Sequence, residues 1–150
     1  HGHFAVAAAQ VLGEKGAVYA VDVDRRALSF LQSRASEACL ANIIPVHGNL
    51  ESDRGVPLSD DFGDVALLAN ALASFVSPLS VFSEIRRLIK IGGIFCLVGP
   101  KSASPFYRLA RTKELSEDAA CCLAEESGFA FERRFNAGWH HYASIFQRIR

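Results

Sequence analysis

No stretch of this 150-residue sequence stays apolar for the roughly 18 residues that a membrane-spanning helix needs, so no membrane span is expected. No charge of either sign prevails. Lys+Arg and Asp+Glu number 16 each, and a formal net charge of zero gives no overall field toward nucleic acid or an anionic membrane. The Arg-bearing end of the chain is the one place where a local basic patch is conceivable. Cysteine is sparse: Cys39, Cys96, Cys121 and Cys122 contain no CxxC pair, and the adjacent two are badly placed to chelate one metal, so no metal site is expected. Cys39, Cys96 and one of the adjacent pair fall on apolar faces, where Cys behaves as a small hydrophobe. They read as buried free thiols of a reducing compartment, which makes a cytoplasmic location the expectation. Internal repeats and low-complexity segments are missing too, as is any Ser/His/Asp constellation.

What is present is the material of one domain over residues 1–150, half hydrophobic and about a fifth charged. Phe4, Ala7, Ala8, Val11 and Leu12 form a helical stripe from the first residues, closed by Gly13. Ala17–Asp22 follows as a short apolar strand. A second stripe, Ala27, Leu28, Leu31, Ala35, Ala38 and Cys39, predicts a helix with Asp24 as its cap. Ile43–His47 reads as a strand that its proline moves toward an edge. A polar loop from Asn49 to Asp61 precedes Asp64–Asn70, a strand apolar on both faces in the manner of a central parallel strand. Ser77-Pro78 caps and opens a helix with Val81, Phe82, Ile85, Leu88 and Ile89 on one face. Gly92-Gly93 is expected to stop it and launch Ile94–Val98.

After Pro100 the pattern loosens through Lys101–Leu115. A helix then starts near Ser116, with Glu117 and Asp118 favouring its N-terminal dipole, and stops at Gly128. Phe129, Phe131, Arg133 and Phe135 alternate with polar neighbours, Tyr142–Ile149 alternates less cleanly, and Asn136-Ala137-Gly138 joins the two runs. That is an antiparallel hairpin. The fold class is α/β, a three-layer Rossmann-like sandwich, mostly parallel with a C-terminal antiparallel hairpin. A chain of this kind that opens on a helix is expected to lack the first strand.

Several segments, in order, carry a resemblance. His1-Gly2-His3-Phe4 resembles the end of a glycine-rich D-x-G-x-G-x-G loop. Ala17–Asp24 resembles a second strand ending in an acidic residue, and Val46-His47-Gly48-Asn49 a third-strand end that usually reads Gly-Asp. Phe62–Val65 with Ala69–Leu72 is similar to a fourth-strand motif. Glu84–Gly93 is similar to E-x-x-R-x-L-K-P-G-G, with Ile91 in place of the proline, and Ser127-Gly128-Phe129 to the entry of a sixth strand. The chain thus resembles the class I S-adenosylmethionine-dependent methyltransferases, in particular the small-molecule branch with the quinone-biosynthesis C-methylases. Each piece alone is weak; their order and spacing are the specific feature. The glycine pair and the closing hairpin speak against an NAD(P)-binding oxidoreductase.

The resemblance implies S-adenosyl-L-methionine as cofactor and methyl transfer to a small-molecule acceptor. A non-catalytic module or degenerate copy working through a protein partner is the alternative. Six residues are implied at the cofactor. Asp22 would hold the ribose hydroxyls, Val23 and Leu50 would flank adenine, and Asn49 would stand where an Asp usually accepts from the adenine amino group. Gly2 would let backbone approach the ligand, and Asn70 would offer its carbonyl to the ammonium group. Each has a plainer reading as cap, turn or core residue. Methyl transfer needs proximity and in-line orientation more than acid–base groups, so no catalytic side chain is assigned. Lys101, Tyr107, His140 and His141 are the polar residues expected near the acceptor, with one His exposed and the other half-buried beside Trp139.

Overall fold

A computed structural model describes residues 2–101 and 115–150. The chain divides into two compact units, one formed by the residues up to Leu50 with Arg54–Pro57, the other by Glu51–Asp53 with the residues from Leu58 onward.

In the first unit, helix α1 (His3–Leu12) leads to strand β1 (Val18–Asp22), helix α2 (Arg25–Glu37) and strand β2 (Ile43–His47). The two strands pair in parallel, from Val18 opposite Ile43 to Asp22 opposite His47. Ala9, Leu31, Ala35 and Ile43 are buried together, with Ala5, Val6, Val18, Ala20 and Leu40 packed against them. The expected stripe on α1 is therefore not the buried one. Ala9 is wholly buried, whereas Val11 is 88% exposed and Phe4 and Leu12 also face outward. This helix is apolar nearly all round, so periodicity does not choose a face; the methyl side chains of Ala5 and Ala9 allow the closest approach to the strands. Asp24 caps α2 as expected, its side chain accepting from the Arg26 N–H. Cys39 leaves the helix with a positive φ of 54° and is exposed, a correction to its expected burial. Cys122 is exposed too, while Cys121 is buried and Cys96 is half-buried.

The second unit holds β3 (Gly63–Ala69), α3 (Pro78–Leu88), β4 (Ile89–Pro100), α4 (Glu117–Glu126), β5 (Phe129–Asn136) and β6 (His141–Arg148). The strands form one sheet in the order β3-β4-β6-β5. The β3–β4 pair is parallel, and β6 runs antiparallel to both β4 and β5. The closing hairpin is thus as expected. So are the two helix starts, where Ser77 accepts from the Ser80 N–H with proline behind it, and Ser116 accepts from the Ala119 N–H.

Three expectations fail here. Gly92-Gly93 does not end α3, because the helix stops at Leu88 and β4 begins at Ile89. The glycines lie within β4, where its register with β3 shifts. A Cβ on Gly93 would stand 2.8 Å from the Lys90 carbonyl oxygen and 3.0 Å from that of Asp64, a backbone approach only glycine permits. Next, β3 is the outermost strand of its sheet, so Val65 and Leu67 are 64% and 44% exposed rather than buried on both faces. Finally, Phe129 is buried but Phe131 and Phe135 are 41% and 47% exposed. A register irregularity between Phe131 and Arg133 breaks the alternation ahead of Phe135, whereas Phe131 stays in register with Phe129 but sits on the outermost strand, its ring met by Phe146 and by the Arg134 guanidinium.

The core of this unit is aromatic. The ring of Phe95 has those of Phe82, Phe129 and Phe146 at 5.5, 5.1 and 5.7 Å. Beside it the buried Glu84 accepts from Arg87 Nε and Nη2 at 2.8 and 2.7 Å, and Arg87 Nη1 donates to Asp60 and to the Leu58 carbonyl. Glu84 first, then Asp60, holds this guanidinium more firmly charged than usual, against the opposing effect of burial.

Candidate functional site

In the first unit, β1 and β2 end side by side, and their carboxyl ends bring four of the expected residues together. Asp22 closes β1 opposite His47, Val23 follows it, and Asn49 and Leu50 follow β2 after Gly48. The Gly48 N–H donates to the Asp22 carbonyl at 3.1 Å, and the Asn49 N–H to that of Gly55 at 2.9 Å. These bonds hold the two chain exits in place. Asp22, Val23 and Asn49 are exposed and Leu50 is half-buried.

The two acidic residues divide their work. Asp24 Oδ1 accepts from the Arg26 N–H at 2.8 Å, which is a helix cap. Asp22 Oδ1 accepts from the Asp24 N–H, also at 2.8 Å, which fixes the carboxylate at the strand end. A carboxylate has about four lone-pair sites, so one such bond leaves most of its acceptor capacity for a ligand.

Gly2 stands directly before α1 with φ 78°, a left-handed conformation that favours glycine. The Asn42 side-chain amide, just ahead of β2, reaches the carbonyls of Ala9, Gly13 and Gly16 at 2.9, 2.8 and 3.2 Å. The last turn of α1 is thereby pinned where the strands begin, while at its other end a Cβ on Gly2 would stand 2.7 Å from Leu31 Cδ1 of α2. The pin joins residues 33 apart along the chain, and no local pattern announces it.

His47 also escaped the motif reading. Its Nε2 lies 3.2 Å from the Val23 carbonyl oxygen and its Nδ1 3.3 Å from Nη2 of Arg25. Only its place at the end of β2, in register with Asp22, singles it out.

Asn70 belongs to the second unit. It follows β3 with φ 54°, is exposed, and donates its N–H to the Val98 carbonyl at 2.9 Å. In the same unit Lys101 Nζ donates to Asn136 Oδ1 and to the Gly138 carbonyl at 2.6 and 3.0 Å, tying β4's exit to the hairpin turn. His140 is exposed and His141 half-buried, as expected, but Trp139 is almost wholly exposed and shelters neither. Tyr107 lies outside the described residues, as does His1. Glu51, which follows Leu50, accepts from the N–H groups of Val76 and Ser77 at 2.6 and 2.7 Å, a second contact that the sequence does not announce. Among the described residues no group of three or more His, Cys, Asp or Glu side chains could hold a metal ion, and no helix is long and apolar enough to cross a membrane.

A sequence model described as a methyltransferase domain matches residues 1–149 of the chain. The chain belongs to this methyltransferase domain family. Among curated proteins, a demethylmenaquinone methyltransferase of Geobacillus sp. (strain WCH70) is 29% identical over 93 residues, covering 61% of this chain and 38% of the relative. The match thus spans under two-fifths of that relative's length. Among solved structures, a SAM-dependent methyltransferase of Aquifex aeolicus superposes with a TM-score of 0.85 at 20% identity, covering 99% of this chain and 77% of that one. One from Methanosarcina mazei gives a TM-score of 0.79 at 18% identity, covering 99% and 88%. At such identities these structures show the fold, and they bear out the α/β methyltransferase architecture. The resemblance carried by the six motifs is borne out at the level of the family.

Proposed function

We propose that this methyltransferase domain binds S-adenosylmethionine and serves methyl transfer to a small-molecule acceptor. The observation that carries the reading is the exposed Asp22 carboxylate. It is anchored by one bond at the carboxyl end of β1, with Val23 following it and Asn49–Leu50 following the neighbouring strand end. Ligands of α/β folds bind outside the carboxyl ends of the strands, and the donor set here suits an adenosine. Asp22 has acceptor capacity for ribose hydroxyls. The apolar side chains of Val23 and Leu50 suit the faces of a base, and the Asn49 carbonyl can accept from an exocyclic amine. Gly2 brings backbone without a side chain.

When bound, the cofactor supplies a methyl group on a sulfonium, and transfer is a direct displacement. The chain's own task is then to bind, orient and exclude water. The curated relatives are named for demethylmenaquinone, which makes a demethylated quinone the first acceptor to try.

Calorimetric titration of the full chain with S-adenosylhomocysteine tests the reading. Saturable one-site binding, with no heat from NADH, is expected. Tight NADH binding without a response to S-adenosylhomocysteine would overturn it.

A further inference from the structure

His47 closes β2 and is the register partner of Asp22 across the two parallel strands. Register partners send their side chains to the same face of a sheet. The imidazole makes two contacts, Nε2 to the Val23 carbonyl oxygen at 3.2 Å and Nδ1 to Arg25 Nη2 at 3.3 Å. A carbonyl only accepts hydrogen bonds and a guanidinium only donates them. The two contacts together are compatible with a single state, the neutral imidazole with its hydrogen on Nε2 and its lone pair on Nδ1.

We propose that His47 is a positioning residue for the adenosine end of the site. In its neutral Nε2–H form it holds the Val23 carbonyl while accepting from Arg25, and so fixes the backbone that carries Asp22 and Val23; protonation ends the Arg25 bond and turns the two groups against each other. The inference rests on the reading of Asp22 and Val23 as cofactor contacts.

Of the charged residues on the neighbouring elements, Arg25 of α2 touches the ring, while Asp22 at the end of β1 is the register partner of His47 and Asp24 follows two residues on. Gly48, Asn49 and Leu50 after β2 carry no ionisable side chain. A proton on Nδ1 removes the acceptor for Arg25 and sets one cation against another. The same positive charge attracts the Asp22 carboxylate and competes with the ribose hydroxyls for its oxygens. Both consequences weaken adenosine binding. Affinity is therefore full where the imidazole is neutral and falls where it carries a second proton.

Two measurements on the full chain decide the matter. Nitrogen-15 NMR of the free protein at about pH 8, where imidazoles are mostly neutral, should find the His47 hydrogen on Nε2. A hydrogen on Nδ1 overturns the proposal without any ligand present. Calorimetry with S-adenosylhomocysteine supplies the second readout. Wild-type affinity should fall about three- to tenfold from about pH 8 to about pH 5.5, the worth of one lost hydrogen bond. His47→Gln keeps a donor and an acceptor but does not titrate, so its affinity should stay within about twofold over that range. Binding that is flat in the wild type, or that falls in parallel in His47→Gln, overturns this inference alone. No binding to either protein at any pH overturns it together with the proposed function.

Discussion

The two units of the chain are built from different material. The first closes a two-stranded sheet with small residues, Ala5, Ala9, Ala35 and Ala20 around Leu31 and Ile43. The second stacks Phe82, Phe129 and Phe146 around Phe95 and backs its sheet with a buried carboxylate–guanidinium pair. Five of the six residues read as cofactor contacts fall in the first unit, and only Asn70 falls in the second. Aromatic burial removes more apolar area per residue than alanine burial does. The second unit is therefore expected to carry most of the stability, and the first carries most of the exposed polar strand ends on which the proposed binding rests. Substitutions in one should be felt in folding, and substitutions at the ends of the other in ligand affinity.

The contrast should appear first at Phe95. Phe95→Ala empties the centre of the aromatic cluster and should cost about 3–5 kcal/mol in urea unfolding. A loss under about 1 kcal/mol would show that the cluster does not carry the fold. Arg87→Met leaves Glu84 buried without its partner, and a destabilisation of about 3 kcal/mol is expected. The double change Glu84→Leu/Arg87→Met should recover much of that loss, because no charge then remains buried. Failure to recover would mean that the bonds to Leu58 and Asp60 matter more than the pair itself. In the first unit, Asn42→Ala releases α1 from the start of β2. The expected cost is about 1–2 kcal/mol, read as a loss in unfolding free energy with faster amide exchange in α1. Phe131→Ala should cost least, about 1 kcal/mol, because the ring is partly exposed and meets Phe146 edge-on with Arg134 over its face. Phe129→Ala, by contrast, should cost about 3–5 kcal/mol. Equal losses at the two positions would contradict the difference in their burial.

What could be read in advance divides along the same physical line. Caps are local: Asp24, Ser77 and Ser116 bond to N–H groups two or three residues on, so the chemistry is written within one turn. Hairpin pairing is nearly as local. Strand ends were legible only through the order of the motifs, which placed Asp22 and Asn49 at neighbouring exits. Faces were not legible where the pattern was ambiguous or broken. Helix α1 is apolar on every side, and β5 changes register after Phe131. Nor could Ile89-Lys90-Ile91 be recognised as strand, since the three residues continue the helical spacing of Val81, Phe82 and Ile85. Contacts between residues distant in sequence, from Asn42 to Ala9 and from Glu51 to Ser77, emerge only when the chain is folded.

The account turns on the division of labour between Asp22 and Asp24, two carboxylates two residues apart with the same kind of bond to backbone. Calorimetric titration with S-adenosylhomocysteine separates them. Asp22→Ala should lose roughly 1.5–3 kcal/mol, on the order of ten- to a hundredfold in affinity, because charge-assisted bonds to two ribose hydroxyls disappear. Asp24→Ala should weaken α2 by about 1 kcal/mol as a lost cap and leave affinity within about twofold. Equal losses in affinity at the two positions would make Asp22 a structural residue and contradict the site.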